Sequence, residues 1–139
     1  MRKELMTQYG FDVLVADGLD PVILKLSHDV IPAPSAGDTI RFGSAFCLVK
    51  DGVANMHVLV GSEEHLRIKS SHAWRRLGLR PISVTSEFGQ SVSGKKVGDV
   101  IDNGQGLHYR IVDIFSPDVS RSTPYEPPEK VTHFKKRCA

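Results

Sequence analysis

Over residues 11–16 apolar and polar positions alternate as in a half-buried strand, and 22–26 form a second apolar run. Asp17-Gly18-Leu19-Asp20-Pro21 lies between them and reads as a turn, so 11–26 is predicted to be a β-hairpin. Residues 1–10 are polar and read as frayed, and 31–37 are a linker by composition, with Pro32, Pro34 and Gly37. Residues 40–50 and 56–60 are predicted strands on either side of Asp51-Gly52, a strong hairpin signal. Residues 63–67 fit neither period. Ser71 is placed to cap a short helix through Trp74 and Leu77, ended by Gly78.

The clearest pattern lies between Ile82 and Ile114. It reads as strand, Ser-capped helix, glycine turn, strand and a further strand. Ser86 is a candidate N-cap, Phe88 and Val92 share a helical face, and Gly94 stands where a left-handed C′ residue ends a helix. Gly98-Asp99 turns the chain into the alternating run that follows, where Leu107, Tyr109 and Ile111 share a face with Asp113 next in the alternation.

This cassette resembles the C-terminal domain of the bacterial Gre transcript-cleavage factors. There a strand leads into a Ser-initiated helix, a Gly-Lys-Lys-Val-Gly-Asp turn and a closing Tyr-x-Ile-Val strand. Ser86, Gly94, Lys95, Lys96, Val97, Gly98 and Asp99 match, and Gly37-Asp38-Thr39-Ile40-Arg41-Phe42-Gly43-Ser44 resembles that domain's first strand. The resemblance thus covers about residues 37–115. Two features depart from it: Glu87 stands where the family usually has Pro, and 62–81 is longer and more basic.

The resemblance implies an α+β fold, a strand-dominated antiparallel sheet packed on one short helix in an FKBP-like arrangement. It divides the chain into an N-terminal hairpin extension and linker (1–36), the Gre-like domain (37–116) and a flexible proline-rich, basic tail (117–139). It implies RNA polymerase as partner, docked beside the secondary channel at the rim helices of the largest subunit. Ser86, Glu87, Lys95 and Lys96 would carry that contact. In the family, cleavage is attributed to acidic residues at the tip of an N-terminal coiled coil. Residues 1–36 hold no apolar heptads and contain Pro21, Pro32 and Pro34, so no such arm is expected there. Asp17 and Asp20 read as turn residues, and a six-residue strand reaches only about 20 Å.

Composition changes this picture little. The chain has 139 residues, 40% hydrophobic and 24% charged, as one soluble domain with tails would have. No window approaches the ~18 apolar residues of a membrane span, and the N-terminus lacks the apolar run of a secretion signal. Cys47 and Cys138 do not suggest a disulfide framework, and the expected compartment is the cytoplasm. The six histidines fall at no metal-ligand spacing, and no phosphate loop, nucleophile elbow or Cys-His pairing is present. No catalytic residue, metal or cofactor is therefore expected, and an isomerase pocket has no aromatic signature.

Charge distribution supplies a second reading. The net charge is only +2, yet Arg67, Lys69, Arg75, Arg76 and Arg80 fall in an acid-free stretch with Trp74 among them. Such a surface suits weak, non-specific nucleic-acid binding or an acidic protein partner, and the tail adds Lys135, Lys136 and Arg137. The plain alternative is a solvated loop with Trp74 as a core plug. Oligomeric state is not legible.

Overall fold

The computed structural model of the chain describes residues 3–34, 37, 39–71, 74–75, 78–102, 108–117 and 133–134. The N-terminal segment departs from the hairpin expected over 11–26. β1 (Glu4–Thr7) runs straight into helix α1 (Gln8–Ala16), because the Thr7 hydroxyl accepts the Gly10 N–H at 2.9 Å. Asp20 and Pro21 act as helix-start residues rather than as a hairpin turn. Asp20 Oδ1 accepts the Val22 N–H at 2.9 Å, and Pro21 opens α2 (Pro21–Ser27) where its missing N–H costs nothing. β2 (His28–Ile31) then pairs with β1 in parallel, Glu4 opposite His28 and Thr7 opposite Ile31. Residues 4–7, expected to fray, are therefore paired.

The main sheet is built from β3 (Ala45–Lys50), β4 (Val53–Val60), β5 (Arg80–Ser83), β6 (Val100–Asp102) and β7 (His108–Phe115) in the order β5-β4-β3-β7-β6. β3 and β4 form the expected hairpin. Asp51 and Gly52 take φ of 53° and 77°, the positive pair that a tight right-twisted turn requires. β3 starts later than expected, because 41–44 close on themselves through the Ser44 N–H to Arg41 O bond at 2.9 Å. The pairings β3–β4, β3–β7 and β6–β7 are antiparallel. β5 joins β4 in parallel after a crossover through α3 (Ser62–Ser70). The region 63–67, ambiguous in sequence, is thus helical. β8 (His133–Phe134), inside the segment expected to be a flexible tail, pairs with β4 at Val53 and Ala54.

Parity divides the core. Phe46, Leu48, Leu59, Ile101, Ile111 and Ile114 face one side, where Val92 and Phe88 of α4 (Glu87–Val92) cover them. Ala45, Val58 and Val60 face the other and meet Tyr9 and Val13 of α1, Ile68 of α3 and Trp74. The class is α+β, but helices pack on both faces of the sheet where one helix was expected. A bulge corrects the expected face of β7: Cys47 pairs Asp113 and Leu48 pairs Ile111, leaving Val112 between them. Beyond it Ile114, not Asp113, rejoins Tyr109 and Ile111 on the α4 side.

Candidate functional site

Ser86 is the N-cap that the sequence suggests. Its Oγ accepts the Gly89 N–H at 3.0 Å and donates to Ser83 O at 2.7 Å, tying the start of α4 to the end of β5. Gly89 is buried against that same carbonyl. A Cβ there would land on Ser83 O, so only glycine lets the helix sit this close. Phe88 anchors the helix through edge-to-face contacts with His57 and Tyr109, at centroid distances of 6.0 and 6.1 Å.

Gly94 leaves the helix with φ of 80°, and the following turn is bonded on two sides. The Ile40 N–H donates to Lys95 O at 2.9 Å and the Gly94 N–H to Ile40 O at 2.8 Å. On the other side the Gly98 N–H donates to Ile111 O at 2.8 Å and the Ile111 N–H to Asp99 O at 2.9 Å. Asp99 Oδ2 accepts the Lys96 N–H at 2.9 Å and closes the turn. This anchored backbone holds Lys95, Lys96 and Val97 out in solvent, with Val100 exposed just beyond. Asp99, Val97 and Val100 were not singled out as contact residues by the sequence; the Gly-Asp spacing was the available signal for Asp99. Glu87 is exposed at the other end of α4, a six-residue helix about 9 Å long. The four residues thus flank one short helix, Ser86 as its structural cap and the three charged side chains at its two ends.

The basic segment separates into parts. Lys69, Trp74, Arg75 and Arg80 line one open pocket of about 540 Å³ together with Leu66 and Ser70, which the sequence did not flag. Arg67 is not among the lining residues and instead pairs with Glu63 at 3.3 Å, one helical turn back. Arg76 lies outside the described residues. Trp74 is 6% exposed and packs in the core, its Nε1–H donating to Lys69 O at 3.4 Å and Arg75 lying 5.6 Å from its ring. A base has no free indole face to stack on. His65, beside this region, is held below the ordinary imidazole value, first by burial and then by the Lys69 ammonium.

The Asp20 carboxylate caps α2, and Asp17 ends α1 through its backbone N–H. Among the described residues no three His, Cys, Asp or Glu side chains gather as a metal would need. No described helix is long and apolar enough to cross a membrane.

No family model matches the chain, and no curated protein matches it. Among solved structures it is similar to GreA factor homolog 1 of Thermus thermophilus, at 15% identity and a TM-score of 0.42 over 83% of this chain and all of that one. The transcription factor Gfh1 gives 17% identity and a TM-score of 0.43 over 81% of this chain and 97% of that one. The elongation factor GreA/GreB from Nitrosomonas europaea gives 17% identity and a TM-score of 0.41 over 83% of this chain and 99% of that one.

Proposed function

We propose that the chain is a non-catalytic, RNA polymerase-binding regulator of transcription that docks near the secondary channel and does not stimulate cleavage. The observation that carries this reading is the anchored turn 94–99. Its backbone is bonded to Ile40 and Ile111, yet Lys95, Lys96 and Val97 are left to solvent. A turn held this firmly presents its side chains with little ordering cost on binding. Two cations beside an exposed valine suit a partner surface that is acidic at its rim and apolar at its centre. The partner is inferred from the Gre-like motif, in which the same turn accompanies polymerase docking. Residues 4–31 form short strands and helices of nine and seven residues, with no long hairpin to carry acids into a channel.

Retention on immobilised bacterial RNA polymerase tests the reading. The wild type should be retained and a Lys95→Glu, Lys96→Glu double variant should be lost. An unretained wild type, or equal retention of both, refutes it. Nucleic-acid binding is the weaker reading, because burial of Trp74 removes the stacking platform it needs.

A further inference from the structure

Consecutive glutamates in the first turn of α3 reach different strands of the small parallel sheet. Glu64 bonds Thr7 of β1, and Glu63 Oε1 lies 3.7 Å from His28 Nε2 at the start of β2. The first contact joins donors to a carboxylate, whereas the second depends on a proton. His28 is 4% exposed, and its Nδ1 lies 3.1 Å from Leu24 O and 2.8 Å from Ser27 Oγ. A carbonyl only accepts, so Nδ1 carries the hydrogen. The Ser27 hydroxyl has Ile23 O and Leu24 O as its own acceptors, both at 3.3 Å, which leaves its oxygen to accept from Nδ1. Nε2 of the neutral ring is then a bare lone pair. It is buried, has no hydrogen-bond partner among the described residues, and faces a carboxylate. Two acceptors oppose each other there, and neither can supply a proton.

We propose that His28 is a proton-operated latch between β2 and α3. A proton taken from solvent at Nε2 turns the facing lone pair into a donor to Glu63 Oε1, and its loss releases that contact while Glu64 still holds β1. Glu63 is about half exposed, so its carboxylate can close the 3.7 Å gap without moving the core. Glu64 lies near enough that a charged His28 lowers its carboxyl, and Arg67 competes for Glu63 Oε1 at 3.3 Å. On the other packed elements, Glu4 of β1 stands opposite His28 in register, and Asp12 of α1 accepts from Gln8. Lys25 of α2 holds its ammonium over Phe11, and Lys3 donates to Lys25 O. The latch uses none of the α4 residues and does not depend on the polymerase reading.

Magnetic resonance titration of the His28 ring in the full chain, between about pH 8 and 5, tests it. At the alkaline end the ring nitrogens should report the Nδ1–H form. On acidification the ring should take a second proton, with an affinity about threefold or more lower in Glu63→Gln, a half-exposed change that leaves the core intact. Amide exchange supplies the mechanical readout. Corrected for intrinsic rates and referred to the β3–β4 amides, protection of the β1–β2 amides should fall as pH rises through the His28 titration. That fall should shrink in Glu63→Gln, in which Glu64 remains. An Nε2–H form at alkaline pH, a ring that stays neutral down to about pH 5, or an equal fall in both proteins overturns the proposal.

Discussion

Thr7 and Glu64, 57 residues apart in the chain, are joined by two hydrogen bonds. The Thr7 backbone N–H donates to Glu64 Oε1 at 2.9 Å, and its hydroxyl donates to Oε2 at the same distance. Oε1 also accepts the Gly61 N–H at 2.8 Å, at the start of α3, while Thr7 Oγ1 caps α1 through Gly10. One buried carboxylate therefore serves the N-termini of two helices, directly for α3 and through a hydroxyl for α1. It fastens the N-terminal segment to the back of the sheet.

Thr7→Val deletes both the helix cap and one partner of this carboxylate. A lost cap costs about 0.5–2 kcal/mol and a lost bond to a buried charged group about 1.5–3 kcal/mol. Because one hydroxyl makes both contacts, the two losses overlap, and a combined destabilisation of about 2–3 kcal/mol is expected from urea midpoints at unchanged slope. A loss under 0.5 kcal/mol would mean that the tie is solvated.

Glu64 also sets a pH dependence. Burial raises its carboxyl above the ordinary value of 4.5, opposed in part by the Gly61 and Thr7 bonds and by nearby His28. A raised folded-state value means that the native state holds the proton more tightly than the unfolded chain. The associated stability is fully present below 4.5 and is lost as pH rises through the folded value. Glu64→Gln does not titrate, so its stability relative to wild type should rise with pH across the mildly acidic range. Paired denaturation curves from pH 4 upwards check this, since other groups cancel in the difference. A difference that falls with pH contradicts the assignment.

Gly89→Ala provides a test by sign. In an exposed helix interior the change should stabilise by about 1 kcal/mol. Here the new methyl meets Ser83 O, a carbonyl already engaged by Ser86, and overpacking of this kind costs about 1–3 kcal/mol. The steric term is the larger, so the thermal midpoint should fall. A rise would show that β5 and α4 can separate without penalty.

The legible parts of the chain were those whose signals are local. Ser86, Gly94, Asp51-Gly52 and Gly98-Asp99 declare a cap, a left-handed exit and turns through their own backbone chemistry, and all took those roles. Residues 11–26 were misread because their β-branched residues imitate strands, while the deciding features were the Thr7 cap and the Asp20-Pro21 start. Tyr9 and Val13, buried four residues apart, follow the helical period, but the pattern begins inside a segment that looks frayed. The Glu64 tie depends on contacts between distant elements, for which spacing along the chain gives no sign. The aromatic row from Phe46 through His57 and Phe88 to Tyr109 is of the same kind, assembled from β3, β4, α4 and β7.

Transcript cleavage should be absent. Arrested polymerase complexes incubated with the protein should show no shortened RNA on a gel. If shortened RNA appears and vanishes with Asp17→Asn, Asp20→Asn, the non-cleaving reading is wrong. Asp20→Ala is unsuitable as the probe, because it removes the cap of α2 at a cost of about 1 kcal/mol.

Docking through the α4 surface makes the sharpest demand on charge. Glu87 and Lys95 are both exposed, so reversing either should move stability by under about 0.5 kcal/mol. Lys95→Glu should weaken retention on polymerase, and Glu87→Lys should change it in the opposite direction if the facing surface is acidic. Asp99→Ala separates presentation from contact. It removes the bond to the Lys96 N–H and loosens the turn for about 1 kcal/mol, without touching a cation. Retention should drop with Asp99→Ala and recover with Asp99→Asn, whose amide oxygen can accept the same N–H. If Asp99→Ala binds as wild type while Lys95→Glu does not, the lysine acts without the ordered turn. If Lys95→Glu, Glu87→Lys and Asp99→Ala all bind as wild type, the polymerase contact lies elsewhere on the chain.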